Sequence, residues 1–442
     1  MKKTIFVLSL VFILAFTSVT AFAQSTDQII VAIDSVKVEF TEDSGLPFID
    51  ENYRTLVPFK KTLETYGASV EWNNESRIAT AVKGDIKVEV PIGQKYIIVN
   101  GEQKSIDTAA KIVNGRTFLP IKAVIEAFGS DVEWDQSLKT VVITTTPVDA
   151  KKIFIDASDK SYSWKNYNAD IKVKMSIPLK DDAGIVQTMN MDMNMLMTVF
   201  MEPSLKVKMN SSVVANAMGQ EIKQPVMDMY MTADDSTLTT YMGSNDEKGT
   251  YKWAKSVLEN KEFANLFKYS EDTIKANKEL TEKYTKDVKY FGKYADASGK
   301  TLLKLQYTMS GQIYNDIFGE YVKELSASTD EKDIEAAKML KGFVDGNFGD
   351  LTGIIYIDEA TGEIVKYEMN LSSIMASVMS GMSEIMVDLS AEDIEMLKQM
   401  KADMVMEISS INKAEDFKIP EEALKAPEMS EKLNQSEKTS EK

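Results

Sequence analysis

The chain has 442 residues, a net charge of −17, no cysteine and no histidine. That length exceeds what one ordinary core organises, so two or three domains are predicted. The missing residue types exclude Ser-His-Asp and Cys-His catalysis, imidazole-based zinc or copper sites and disulfides, and the acidic balance speaks against nucleic acid or anionic membranes as partners.

The chain opens Met1-Lys2-Lys3, continues as an apolar run from Ile5 to about Phe16, and reaches Ala21-Phe22-Ala23 before Gln24. A basic segment, an apolar core and a small-x-small site, in that order, predict a cleaved export signal over residues 1–23. The apolar run is short for a membrane span, and no later run is long enough to be one. No cysteine stands at the cleavage site to take a lipid, and no C-terminal sorting motif is visible. The expectation is a secreted protein, or one on the outer side of the cell envelope, with no transmembrane segment after cleavage.

Residues 29–146 contain a duplication. Arg54-Thr-Leu-Val-Pro58 is followed by Tyr66-Gly67 and Val70-Glu-Trp72-Asn73; Arg116-Thr-Phe-Leu-Pro120 is followed by Phe128-Gly129 and Val132-Glu-Trp134-Asp135. The offset is 62 residues for Arg54/Arg116, Pro58/Pro120, Gly67/Gly129 and Trp72/Trp134 alike. The copies cover about 29–84 and 85–146. Each reads as a strand, an extended Arg-Thr segment, a short helix opened by proline and ended by glycine, and a strand pair beginning at Val-x-Trp. Such a unit needs a partner for its apolar face, and two units supply it. Arg54 and Arg116 are read as pins for their own turns rather than ligand contacts, since both copies need the same fold. Trp72 and Trp134 are expected to fill the strand–helix interface rather than offer sugar-stacking platforms.

This repeated signature resembles the copper amine oxidase N-terminal-like, or stalk, domain over about Ile29 to Thr146. The resemblance implies an appendage without chemistry of its own, of a kind common on secreted and surface proteins of Gram-positive bacteria, suited to attachment or protein contacts.

Residues 147–161 read as a linker, marked by Thr144-Thr-Thr-Pro147-Val-Asp. Residues 162–420 read as a larger sheet domain. Alternation predicts strands at Asp170–Ser176, Thr188–Met197, Leu205–Met209, Val226–Met231 and Ser236–Met242. Helices are predicted at Lys252–Phe267, Glu271–Lys286, Gln312–Leu325, Glu331–Phe343 and Glu392–Lys401. Further strands fall at Thr301–Met309, Thr352–Asp358, Glu363–Leu371 and Asp403–Ile411, with a hairpin turning at Thr361-Gly362. Residues 421–442 are Ser/Glu/Lys-rich and read as a disordered tail. The fold class is α+β: a duplicated small domain, then a long antiparallel sheet with helices on one side. The strand order and that hairpin resemble the half-open barrel of LolA- and LppX-like lipoprotein carriers, which implies an apolar cavity over about Asn166 to Pro420.

The chain has 26 methionines. Met189, Met191, Met193, Met195 and Met197 share one strand face, and Met227, Met229 and Met231 share another. Met375, Met379, Met382 and Met386 recur at helical spacing, as do Met396 and Met400. Thioethers suit Cu(I), but neighbours on one strand face lie ~6.6 Å apart, so one strand cannot close a metal site. The favoured reading is an adaptable apolar lining for a lipid or other apolar molecule, with a plain solid core close behind. Ser410-Ile-Asn-Lys413 has the spacing of a Ser–Lys nucleophile but no accompanying motif. Three functions stay open: a non-enzymatic envelope protein holding an apolar ligand without a cofactor, a Cu(I)-binding protein, and a carboxylate-based wall hydrolase.

Overall fold

The computed structural model describes residues 28–180, 186–217, 220–234, 236–245, 249–259, 269–329, 349–376 and 398–428, with the single positions 334, 337, 341, 392, 395 and 396. The proposed export signal and the predicted helix Glu331–Phe343 lie wholly or largely outside them, as do Met379, Met382 and Met386. The chain forms two compact units. Of the described residues, the first unit holds those of 28–150 and 289–305, and the second those of 151–288 and 306–428.

The first unit begins with β1 (Ile30–Ile33), β2 (Val36–Lys37), β3 (Phe48–Ile49) and β4 (Thr55–Pro58), then helix α1 (Phe59–Thr65). Strands β5 (Ser69–Asn73), β6 (Ile78–Lys83), β7 (Ile86–Pro91), β8 (Tyr96–Val99) and β9 (Glu102–Ser105) follow. The second copy supplies β10 (Lys111–Val113), β11 (Arg116–Pro120), α2 (Ile121–Ala127), β12 (Asp131–Asp135) and β13 (Thr140–Thr144).

The copies meet through their shared motif. Strand β4 pairs antiparallel with β11, Val57 opposite Leu119, so each Arg-Thr-x-x-Pro segment is the other's ladder partner. Val57 and Leu119 are fully buried there. Pro58 and Pro120 close these strands and serve as N-caps, one residue earlier than the helix-opening position expected. Both helices end alike. Gly67 and Gly129 take φ of +89° and +82°. Their N–H groups donate to Glu64 and Glu126 carbonyls, while Ala68 and Ser130 donate to Leu63 and Ile125. This 6→1, 5→2 pattern satisfies carbonyls the last turn leaves open, and only glycine reaches that φ without strain.

The two copies differ in their third strand. In the first, β6 is flanked by β5 and β7; in the second, β13 is flanked by β12 and, in parallel, by β1. Arg54 donates to Asp107 at 2.5 Å and to the Asn52 and Tyr53 carbonyls, and Arg116 donates to the Asp43 and Asn114 carbonyls. Trp134 packs against the core and donates to Gln136 at 2.8 Å. Trp72 departs from expectation: it is 37% exposed, standing opposite Ala79 in the β5–β6 ladder.

A buried carboxylate organises the turn before β4. Asp50 accepts hydrogen bonds from the Asn52 and Arg54 backbone N–H groups and from the Thr108 hydroxyl at 2.5 Å. Burial by itself raises this carboxyl, but the bonds from Thr108, Arg54 and Asn52 outweigh it and hold the group well below the usual carboxylate range. A depressed folded-state pKa supplies stability above the unfolded value, and that stability is lost as pH falls through the folded value. Denaturation of the wild type should therefore become easier below about pH 4. Asp50→Asn should flatten that acid limb, as denaturant midpoints measured across the acid range would show.

The second unit starts with helix α3 (Ala150–Ser161), so most of the expected linker is helical. A meander follows: β14 (Asn166–Lys180), β15 (Val186–Phe200), β16 (Lys206–Ala217), β17 (Gln220–Ala233), β18 (Thr237–Asn245) and β19 (Tyr251–Glu259). Strand β19 corrects the predicted helix Lys252–Phe267 over its first part; residues 260–268 lie outside the described residues. Pairing with β18 decides the matter there, since Trp253 sits opposite Gly243, whose missing side chain leaves room for the indole. Helix α4 (Glu271–Tyr284), β20 (Thr285–Ala295), β21 (Thr301–Ser310) and α5 (Ile313–Ala327) come next in the chain, residues 289–305 of this stretch belonging to the first unit. Strands β22 (Asp350–Asp358), β23 (Ile364–Asn370), β24 (Lys401–Ser409) and the short helix α6 (Glu421–Leu424) complete the described chain.

The sheet has eleven strands in the order β19-β18-β17-β16-β15-β14-β24-β23-β22-β21-β20. It is an α+β arrangement with the second meander laid beside the first through the β14–β24 ladder. The start of the predicted tail is ordered: Ala423 and Ala426 are buried and Lys255 donates to the Pro427 carbonyl. Among the described residues no helix is long and apolar enough to cross a membrane.

Candidate functional site

A cavity of about 350 Å³ lies within the second unit, between the sheet and three helices. Helix α3 contributes Phe154, Ser158 and Ser161, at spacings that put them on one helical face. Tyr162, Trp164 and Tyr167 continue the wall into β14, and Met201 closes it after β15. Helix α4 turns Thr273, Ile274, Asn277, Leu280 and Thr281 inward, with Tyr269 just before it. That helix is fixed at its start by Ser270, which accepts from the Thr273 N–H at 3.2 Å, while Glu271 and Asp272 complement the helix dipole. Helix α5 adds Ile313, Tyr314 and Ile317. The strands supply Tyr307, Met309, Leu351, Ile364, Tyr367, Met406 and Ile408.

None of these lining residues carries a charge at neutral pH. Several of the polar groups are hydrogen-bonded to protein partners. The Tyr162 hydroxyl is hydrogen-bonded to Thr281, Tyr269 donates to the Ser163 carbonyl at 3.1 Å, and the Trp164 indole donates to Glu363 at 2.7 Å. Burial pushes the Tyr167 phenol up to about 12 and also raises Tyr367, whose neighbours Tyr307, Tyr162 and Tyr167 add to the effect. The Tyr167 and Tyr367 phenols therefore stay neutral across the physiological range. Tyr284 and Lys283 both donate to Asp316, at 2.6 and 2.7 Å, tying α4 to α5 over the cavity.

The aromatic wall is tightly set. Tyr307 stacks on Phe154 with ring centroids 4.9 Å apart, and Gly353 lies against its phenol end. A Cβ at position 353 would stand 2.5 Å from the Tyr307 ring. Gly353→Ala should displace that ring, at an overpacking cost of about 1–3 kcal/mol. Thermal denaturation should show the loss, and binding of any cavity ligand should weaken with it.

The eight strand methionines named above, Met189 to Met197 and Met227 to Met231, do not line this cavity; Met201, Met309 and Met406 do. Met195, Met197, Met229 and Met231 are buried, while Met189, Met191, Met193 and Met227 are half-buried. They nevertheless share the cavity's face of the sheet. Met195 lies opposite Ile171, which lies opposite the cavity residue Met406, and side chains directly opposite in a ladder point the same way. Met375, Met396 and Met400 are buried too. The aromatic lining went unread in the sequence, although Tyr162, Trp164 and Tyr167 crowd one short segment. Among the described residues no group of three or more Asp or Glu side chains is placed to hold a metal ion.

The first unit is a duplicated α+β domain, and residues 32–143 match the copper amine oxidase N-terminal domain family. Over 109 residues the chain is 28% identical to a protease inhibitor of Brevibacillus choshinensis, covering 24% of this chain and 33% of that one. Over 78 residues it is 28% identical to a primary amine oxidase of Klebsiella aerogenes, covering 18% of this chain and 10% of the enzyme. The chain thus spans a third or less of these relatives. Among solved structures, a DUF1329 family protein from Desulfovibrio piger aligns over 62% of this chain and 96% of its own, at 7% identity and a TM-score of 0.19. A likeness that loose defines no shared fold.

Proposed function

We propose that the protein is an exported, non-enzymatic envelope protein whose second unit holds an apolar ligand while the stalk-like first unit mediates attachment or protein contacts. The observation that carries the ligand half is the cavity: about 350 Å³, lined by aromatic and aliphatic side chains with no charged group. Pockets of this size and lining accommodate small apolar molecules or part of a longer one. An antiparallel sheet with helices over an apolar cavity is also what a half-open carrier barrel of the LolA or LppX kind requires. A ligand's charged head would have to remain outside, because nothing in the lining compensates it.

Native mass spectrometry of the gently purified chain, with titration of a fluorescent acyl probe, tests this. A lipid-sized adduct or saturable probe binding is expected, with a fatty alcohol competing at least as well as the fatty acid. Ile274→Trp, which fills the cavity from α4, should weaken binding by about tenfold or more. No adduct together with no probe binding would sink the reading.

A further inference from the structure

The cavity is at the small end of the range for ligand sites, yet the sheet register points past it. Ile408 lines the cavity; across the ladder from it stands Ala169, and across from Ala169 stands Met197. Ala169 carries only a methyl group, so the floor is low between them. From Met197 the row continues directly through Met209, Met229 and Met242 on successive strands. Met197, Met209 and Met229 are 7%, 5% and 2% exposed. No β-branched or aromatic side chain, which would fix one packing, interrupts these four positions. Unbranched thioethers repack around variable apolar partners at small cost.

We infer that this methionine row is a latent extension of the binding site for a long, unbranched apolar chain. The chain's end passes over Ala169, and the side chains of Met197 and Met209 change rotamer to admit it. The inference rests on the carrier reading above, and it assigns chain-length tolerance to the methionines rather than to the aromatic cavity.

Straight-chain fatty alcohols of increasing length, competed against the fluorescent probe on the full chain, provide the test. In the wild type affinity should keep rising by about fourfold per added methylene beyond the length the cavity alone holds. Two independent variants should each stop that rise while leaving short alcohols within about twofold. One is Ala169→Val, which raises the floor. The other combines Met197→Ile with Met209→Ile, which keeps similar volume in side chains stiff at χ1. A wild-type length profile in both variants, or equal loss at every length, would overturn the extension while the carrier reading stands. Failure of the wild type to bind any alcohol or probe would overturn both.

Discussion

Lys304→Met should destabilise the first unit by about 3–5 kcal/mol, the cost of leaving a buried charge without its partner. Lys304 and Asp135 meet at 2.6 Å with side chains 1% and 0% exposed. Lys304 also donates to the Ser137 hydroxyl at 2.7 Å, and its ammonium lies over the Phe291 and Tyr294 rings. Asp135 has a second task. Its other oxygen accepts from the Ser137 and Leu138 N–H groups, closing the turn after β12. In the first copy Asn73 closes the equivalent turn, accepting from the Glu75 and Ser76 N–H groups. An amide therefore suffices for the turn, and the carboxylate at 135 serves the lysine. Combining Lys304→Met with Asp135→Asn should recover much of the loss, since neither charge is then stranded. Calorimetric unfolding of the two variants checks this; equal destabilisation by the single and the double change would refute the pairing argument.

Trp164→Ala should cost the second unit about 3–5 kcal/mol and weaken ligand binding as well. The indole is buried, meets Tyr167 with ring centroids 5.4 Å apart, and donates to Glu363 beside the β22–β23 turn. Truncation removes part of the cavity wall and the link between the start of β14 and that turn. Trp164→Phe keeps most of the burial and loses the charge-assisted bond, so a smaller loss of about 1.5–3 kcal/mol is expected. Of the chain's 4 tryptophans, Trp72, Trp134 and Trp253 do not line the cavity. Ligand addition should therefore alter the emission of Trp164, and Trp164→Phe should abolish the change. A fluorescence response that survives that substitution would place the ligand elsewhere.

The sequence by itself determined the duplication, its helices and its glycine stops, because those rest on local chemistry: a proline that ends a strand and a backbone angle that suits glycine. It also determined that the methionines share strand faces, since a period of two is a local property. It could not say that β4 and β11 pair with each other, or that Trp72 is left open while Trp134 is half-buried against the core, because the packing partners come from distant parts of the chain. The same reason hid β19, whose strand state depends on β18. The cavity was the least legible feature. Its wall is drawn from three helices and five strands, and the one local signal, the aromatic cluster Tyr162, Trp164 and Tyr167, does not say which distant side chains it will face. Only the tertiary structure shows the tyrosine-rich cavity on the same sheet face as the methionine strands, because side chains far apart in the chain become neighbours there.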